Sequence, residues 1–159
     1  RKIAVLAADG FAAFDAARDA LVAAGAVVHV VGPRLGVLTG EDDDALEAPK
    51  SLMHAASVEY DAVFVAGGSA SAEALAADAE AIHFVREAYK HCKTVGALGD
   101  GARVLAAAGI VGAGKRNAKA VQPGVVLAGD GELAAFAKQL SAAIAMHRHW
   151  DRDPHAVSA

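Results

Sequence analysis

The sequence predicts an α/β domain built on an open, doubly wound, mostly parallel sheet with helices on both faces. Three observations predict this class. Short apolar runs of the kind found in buried strands alternate with amphipathic stretches of helical period. Each of these apolar runs is followed within a few residues by glycine, as turns between strands and helices often require. The composition is 55% hydrophobic but only 5% aromatic, and small side chains let helices pack closely on a sheet.

The first half of the chain is expected to form two core strands, one helix and a small hairpin. Residues 2–7 form a continuous apolar run with β-branched members, which indicates a buried strand of a parallel sheet. A helix is predicted over 11–24, because its large apolar residues share one face and Gly25 is typical of a helix end. A second strand is predicted over 27–31, and turn residues between short apolar runs predict a hairpin within 36–48.

The second half of the chain repeats the alternation of strands and helices. Gly67 and Gly68 end a core strand, and Ser69 or Ser71 is predicted to cap the short helix that follows. Residues 109–122 are polar and contain several glycines, so an exposed loop with a short strand is expected. The other predicted elements are strands over 60–66, 94–98 and 125–128 and helices over 79–91, 102–108 and 132–147.

The length of 159 residues and the lack of any internal linker predict one domain over 1–150 with a tail over 151–159. The net charge is −4, and the densest basic cluster, at residues 115–119, is too small to favour nucleic acid as a partner. No apolar run reaches the length of a membrane span. A single cysteine and no visible signal peptide favour a cytoplasmic location. The first residue is Arg1 rather than Met, as expected of a domain cut from a longer polypeptide.

In doubly wound sheets, sites lie at the carboxyl ends of the strands. Three loops are therefore candidates: Asp9-Gly10, Gly67-Gly68-Ser69 and Gly99-Asp100-Gly101. None matches a known phosphate or phospho-acceptor site. The third glycine of a dinucleotide loop is Val104 here, the loop after the first strand lacks the hydroxyls of a flavin site, and a glycine pair stands where a receiver domain has its acceptor aspartate.

Nucleophilic catalysis is the most specific alternative, because a sharp strand-to-helix turn can expose a nucleophile to substrate. Residues 95–105 contain such a turn, but Gly99 has no side chain and Asp100 is the nearest reactive group. Cys92 is the only thiol and precedes the strand, at the wrong end of the sheet for a site. It is therefore predicted to be structural, although His91 and Lys93 flank it.

The C-terminal histidines raise the hypothesis of a metal site. His147 and His149 stand two residues apart, whereas helical ligand pairs usually stand four apart. A polar helix end with Trp150 packed back on the domain is the favoured interpretation, and no metal site is predicted. Metal storage through these histidines and His155 stays open as a third hypothesis for the function. The isolated histidines at positions 29, 54 and 83 are expected to be structural.

The glycine pair at 67–68 and the turn at 95–105 resemble those of the class I glutamine amidotransferase-like superfamily, which includes the PfpI-type proteases. In that superfamily the strand ends in Ala-Ile-Cys-His-Gly, with cysteine as the nucleophile. Here Gly99 stands in place of that cysteine, Asp100 in place of the histidine, and Ala12 in place of the supporting glutamate. The resemblance implies a flavodoxin-like fold with a degenerate nucleophile elbow over Gly99-Asp100-Gly101 and no catalytic residue.

A narrower resemblance runs from one end of the chain to the other. Glu87-Ala88-Tyr89-Lys90-His91 and the His-Arg-x-Trp ending at 147–150 are its most specific parts. Together with the segments 1–6, 34–39 and 61–65, they are similar to the C-terminal domain of large-subunit (clade 2) haem catalases.

This resemblance implies a parent enzyme that disproportionates hydrogen peroxide with haem, as a homotetramer. The implied partners are the catalase core and the sister subunits, and unfolded client proteins are a further expectation. Arg86-Glu87-Ala88-Tyr89 does not reproduce the Arg-x-x-x-Tyr arrangement of the haem ligand, so no cofactor is expected in this domain.

Two functions are therefore carried forward from the sequence. The first is a non-catalytic accessory domain that acts in oligomer stability or chaperone-like protection. The alternative is a free-standing small-molecule-binding or hydrolase-like domain, which would use the pocket near Gly68, Gly99 and Asp100.

Overall fold

The computed structural model describes residues 1–112 and 122–157. Its strands are β1 (Lys2–Leu6), β2 (Val27–Gly32), β3 (Gly36–Thr39), β4 (Ala45–Ala48), β5 (Lys50–Ser51), β6 (Ala62–Val65), β7 (Thr94–Leu98) and β8 (Val125–Ala128). Six of them form one sheet in the order β5-β2-β1-β6-β7-β8, and every pairing in it is parallel. The predicted hairpin is confirmed as the antiparallel pair of β3 and β4, outside this sheet.

Within residues 1–112 and 122–157, five helices cover the two faces of the sheet: α1 (Asp15–Ala23), α2 (Ser69–Ala76), α3 (Ala79–Lys90), α4 (Ala102–Ala107) and α5 (Leu133–Ala145). Side chains of β1 alternate between two cores. Ile3 and Val5 pack with α1 and α5, whereas Ala4 and Leu6 pack with α2, α3 and α4. The predicted fold class, a doubly wound α/β sheet with helices on both faces, is therefore confirmed.

The strand order reverses between β1 and β6, which are neighbours in the sheet but are separated by the β2 to β5 excursion along the chain. Such a switch point opens a crevice at the carboxyl ends of the two strands, because their following connections leave in opposite directions. The loops after β1 and β6 therefore meet there, beside the turn that follows β7.

Two local predictions are corrected. The first helix begins at Asp15 rather than residue 11, because Phe11 pairs with Gly40 of the hairpin in an isolated bridge. Neither Ser69 nor Ser71 caps α2. The N-cap residue is Gly68, and the buried hydroxyl of Ser71 instead accepts a hydrogen bond from the Ala8 N–H at 2.9 Å.

The end of α5 also differs from its prediction. Trp150 is 79% exposed, so the expectation that it packs back on the domain is wrong, and His149, at 8% exposed, is the buried residue. The cause is a turn at His147, which has a left-handed φ of +65°. The His149 N–H then donates to the Cys92 carbonyl at 2.8 Å, and its ring Nε2 lies 3.1 Å from Thr94 Oγ1.

The segment predicted as a tail continues the packing of the domain as far as residue 157. Arg152 is only 3% exposed and reaches into the body of the protein. Its guanidinium donates to three backbone carbonyls, those of Tyr89, Lys93 and Pro123. A long side chain with five donors can satisfy several carbonyls at once, which explains how a charged group is buried here.

Two sequence predictions concern residues that lie wholly or mostly outside the part of the chain that the structure describes. The basic residues Lys115, Arg116 and Lys119 lie outside the described residues, as does most of the predicted loop at 109–122. In the part that is described, no helix is long and apolar enough to cross a membrane.

Candidate functional site

The loops after β1 and β6 pack backbone against backbone at the switch point. The Ala12 N–H donates to the Gly67 carbonyl at 3.0 Å. Gly68 has φ +95°, and a Cβ at this position would overlap the Gly10 carbonyl oxygen. Glycine is needed at position 68 both for the left-handed conformation and for this close approach. The two loops are thereby fixed against each other.

The turn after β7 has the shape that the sequence predicted. The strand ends at Leu98, a single 3₁₀ turn spans Gly99–Gly101, and α4 follows directly. Gly99 has φ +46°, in the left-handed region that only glycine adopts without cost. A Cβ on Gly101 would lie 2.6 Å from the Ala66 carbonyl oxygen, so this turn is also packed against the end of β6.

Asp130 is the residue that sequence reasoning missed. It lies in the loop between β8 and α5, and its carboxylate lies over both Gly67 and Gly99. A Cβ on either glycine would overlap the carboxylate oxygens, and a Cβ on Gly67 would also lie 3.4 Å from that of Ala12. The carboxylate therefore occupies the space into which a nucleophilic side chain at position 99 would project. Gly129-Asp130-Gly131, a second Gly-Asp-Gly at a strand end, was the available signal.

Asp100 contacts an arginine of α4 that also reaches the start of α2. Its side chain is partly buried, and Oδ1 lies 3.6 Å from Nη2 of Arg103, one turn further along α4. The other terminal nitrogen of Arg103 lies 3.5 Å from the Ser69 hydroxyl at the start of α2. These contacts join the two candidate loops through an arginine.

A cleft of about 240 Å³ lies beside Gly99, lined by Gly99, Ala102, Leu127, Ala128, Gly129 and Glu132. Gly68 and Asp100 are not among its walls, so the structure does not bring the three residues of the predicted pocket together around it. Among the described residues, Glu132 is the ionisable side chain of the lining, and it accepts a hydrogen bond from the Gly129 N–H at 2.8 Å. Within the described part of the chain, the walls contain no serine, cysteine or histidine, so these residues hold no nucleophile–base pair.

Asp9, in the third candidate loop, holds the hairpin against the sheet. Its Oδ1 accepts from the Thr39 N–H at 2.9 Å, and its Oδ2 lies 3.1 Å from a terminal nitrogen of Arg34. The hydrogen bond from Thr39, followed by that from Arg34, lowers the pKa of the Asp9 carboxyl. Asp9 is thus engaged in a local structural contact at the surface.

Cys92 lies at the opposite end of the sheet, as the sequence predicted. It is buried and has φ +56° at the end of α3. The Cys92 N–H donates to the Tyr89 carbonyl and the Lys93 N–H donates to that of Ala88, which is the Schellman pattern of helix termination. The thiol therefore occupies a position where glycine is common, and solvent hardly reaches it.

A bound metal ion or haem would need suitable ligand side chains among the described residues. They contain no group of three histidine, cysteine or acidic side chains that could hold a metal ion. Both tyrosines are buried: Tyr60 contacts Phe84, and the ring of Tyr89 lies 4.4 Å beneath the guanidinium of Arg152. Both phenolic oxygens are buried, so neither tyrosine is placed to ligate a haem iron.

Comparison with known families gives a match over almost the whole chain. Residues 1–154 match a family described as the C-terminal domain found in long catalases. The chain is 40% identical to catalase HPII of Mycobacterium avium, with all of this chain and 24% of that protein aligned. It is 37% identical to catalase-2 of Bacillus subtilis, over 96% of this chain and 21% of that protein. The chain thus spans between a fifth and a quarter of the length of these relatives.

Comparison with solved structures identifies the same fold in other proteins. A two-domain protein from Anabaena variabilis with DJ-1/ThiJ/PfpI-like and ferritin-like domains matches with a TM-score of 0.82 and 22% identity, over 91% of this chain and 50% of that one. A ThiJ/PfpI domain protein from Brachyspira murdochii matches with a TM-score of 0.78 and 17% identity, over 91% and 96% of the two chains. At these identities the likeness concerns the fold alone.

Proposed function

Because this chain belongs to the family of C-terminal domains found in long catalases, we propose that it works as a non-catalytic accessory domain of a haem catalase. The chain corresponds to 24% of the Mycobacterium avium relative, so the activity of the whole protein is part of this proposal. That activity would be the disproportionation of hydrogen peroxide, with the haem held by the catalase core. The proposed partners are that core and the sister subunits of a tetramer.

The position of Asp130 is the observation that carries the non-catalytic part of the proposal. Its carboxylate overlies Gly99, where a nucleophile elbow would present a reactive side chain. The exposed carboxylate also adds a negative charge beside the turn, which disfavours an anionic intermediate there. In the part of the chain that the structure describes, the cleft next to it is lined by Glu132 but by no nucleophile paired with a base.

The experiment that tests this part is a hydrolysis assay on the isolated chain with chromogenic peptide and ester substrates. We expect no turnover above that of buffer. The cleft beside Gly99 is the one feature that favours the alternative, a small-molecule-binding or hydrolase-like domain. Turnover that is present in the wild type and absent in Asp100→Ala would establish that alternative and overturn the proposal.

The accessory role itself has two forms, oligomer stability and chaperone-like protection. Several large apolar side chains are exposed, including Met53, Val58 and Trp150, and such residues can bind an unfolded chain or a neighbouring surface. An aggregation assay with a heat-denatured client separates the two forms. Suppression by the isolated chain at molar excess would support the chaperone form, and the absence of suppression would leave stabilisation of the oligomer.

A further inference from the structure

The exposed apolar side chains are concentrated at one end of the sheet. We call this end the base; it is the end at which the parallel strands begin, opposite Gly99. Among the described residues eight large apolar side chains are exposed, and five of them belong to segments at the base: Val22, Val27, Val58, Met146 and Trp150. They come from the end of α1, the start of β2, the turn before β6 and the segment that follows α5.

The base also contains a cleft between the last turns of α1 and α5. Its volume is about 200 Å³, and its walls include Arg1, Ile3, Leu21, Gly25, Ile144 and Ala145. Most of these side chains are apolar. Val22 and Met146 are the next residues after two of the lining residues, Leu21 and Ala145, and both are exposed.

Arg1 connects this cleft to whatever polypeptide comes before it. Its carbonyl accepts a hydrogen bond from the Val27 N–H at 2.8 Å, which fixes the start of β1 against the start of β2. A segment that leads into Arg1 must therefore reach the domain at the base, next to Val27 and the mouth of the cleft. The carboxyl end of the sheet, where Asp130 lies over Gly67 and Gly99, is about one strand length away from that point.

We propose that the base is the docking surface of this domain, and that its occupant is the polypeptide that precedes Arg1 in a long catalase. The proposal rests on the proposed function, because it takes the domain to follow a longer chain, as the family description states. The relatives leave ample polypeptide for this contact, since the matched domain is only 20–24% of their length. Apolar side chains of that segment would fill the cleft and cover Val22, Val27 and Met146.

The test measures how fast a maleimide labels cysteines placed on the two ends of the intact long catalase. Val22→Cys and Val27→Cys probe the base, where the native side chains are 52% and 50% exposed. Leu35→Cys and Val37→Cys, at the hairpin, are matched controls with native exposures of 58% and 56%. Labelling is located by peptide mass spectrometry, and each rate is divided by the rate for the same variant in urea.

We expect the two base cysteines to react at least tenfold more slowly than the two hairpin cysteines in the intact enzyme. Rates that agree within a factor of two would overturn the proposal. Heat inactivation of the same enzyme carrying Val22→Glu distinguishes this inference from the proposed function. A protected base with unchanged heat inactivation keeps the docking surface but contradicts the stabilising role, whereas equal labelling removes the docking surface whatever the heat inactivation.

Discussion

The side chain of Asp130 provides one reason for glycine at positions 67 and 99. Each of these glycines faces the carboxylate, and a Cβ on either would overlap it. The left-handed φ of +46° at Gly99 adds a second reason at that position. The space beside Gly99 into which a side chain at that position would project is therefore occupied by a residue from another loop.

A substitution at Gly99 separates the two reasons. Gly99→Ala is expected to lower the free energy of unfolding by about 1–3 kcal/mol, from the strained backbone together with displacement of the carboxylate. In an Asp130→Ala background the overlap is absent, so the same substitution should cost about 1 kcal/mol, from the backbone alone. Urea unfolding of the four proteins of this double-mutant cycle measures the difference. An identical cost in both backgrounds would show that Asp130 does not occupy the space.

His149 predicts a pH dependence of stability. Burial lowers the pKa of its imidazole from the ordinary value of 6.5, and the positive charge of Arg152 acts in the same direction. The folded protein therefore keeps His149 neutral while the unfolded chain binds a proton as the pH falls below about 6.5. The free energy of unfolding of the wild type should therefore decrease as the pH falls below about 6.5.

The test is the slope of unfolding free energy against pH between pH 5 and 7. His149→Gln should flatten this slope relative to the wild type, since the variant has no proton to bind at that position. His155→Gln is the matched control, because His155 is exposed in the same C-terminal segment. Equal slopes in His149→Gln and the wild type would contradict the assignment.

At the residue scale, the Gly99-Asp100-Gly101 motif alone was enough to predict which positions lie at the turn after β7. Gly99, Asp100 and Ala12 are located by their order relative to strands whose pattern is clear in the sequence. Asp130 could not be assigned in this way. Its loop lies next to β7 only because β8 pairs with β7 in parallel, and that neighbour relation is a property of the sheet order.

Among the elements, the C-terminal segment depends on a single guanidinium. Arg152→Ala would remove this donor from the buried carbonyls of Tyr89 and Lys93 and from the part-buried carbonyl of Pro123. Unsatisfied buried polar groups cost about 1–3 kcal/mol each, and relaxation of the segment offsets part of this, so we expect a loss of about 3–5 kcal/mol in unfolding free energy. Arg152→Lys should recover only a part, since one ammonium cannot reproduce the planar fork.

Arg148 provides the control for this prediction. It lies four residues earlier and donates to the carbonyl of its neighbour His147 at 2.8 Å, on an exposed part of the chain. Arg148→Ala should change the free energy of unfolding by less than about 1 kcal/mol. Thermal or denaturant unfolding that ranks Arg148→Ala as the more harmful variant would contradict the role given to Arg152.

The elements that sequence patterns predicted well are those with long apolar runs. The strands at β1, β2, β6, β7 and β8 and the helix α3 agree with their predictions to within a few residues. Two features, the strand β5 and the start of α1, could not be predicted from a local sequence pattern. β5 has only two residues, too few for any periodicity. The start of α1 is delayed by the bridge between Phe11 and Gly40, a contact that local propensity does not contain.

At the scale of the whole molecule, the two ends of the sheet differ in character. The carboxyl end, where enzymes of this architecture have their sites, carries the Asp130 carboxylate over its turn. The base carries five of the eight large apolar side chains that are exposed among the described residues, and Arg1 lies there too. Sequence patterns predicted the layers but not this polarity, because the exposure of Trp150 and the burial of His149 depend on the turn at His147. The work of an accessory domain is accordingly expected at the base.

The most direct test of the accessory role compares the intact long catalase with a form that ends just before Arg1. Turnover of hydrogen peroxide per haem and the rate of inactivation on heating are measured on both. The account predicts that turnover per haem stays within a factor of two while inactivation becomes at least several-fold faster. Two results would contradict it. In one, the truncated enzyme loses turnover per haem but keeps its resistance to heat. In the other, neither turnover per haem nor the rate of heat inactivation changes.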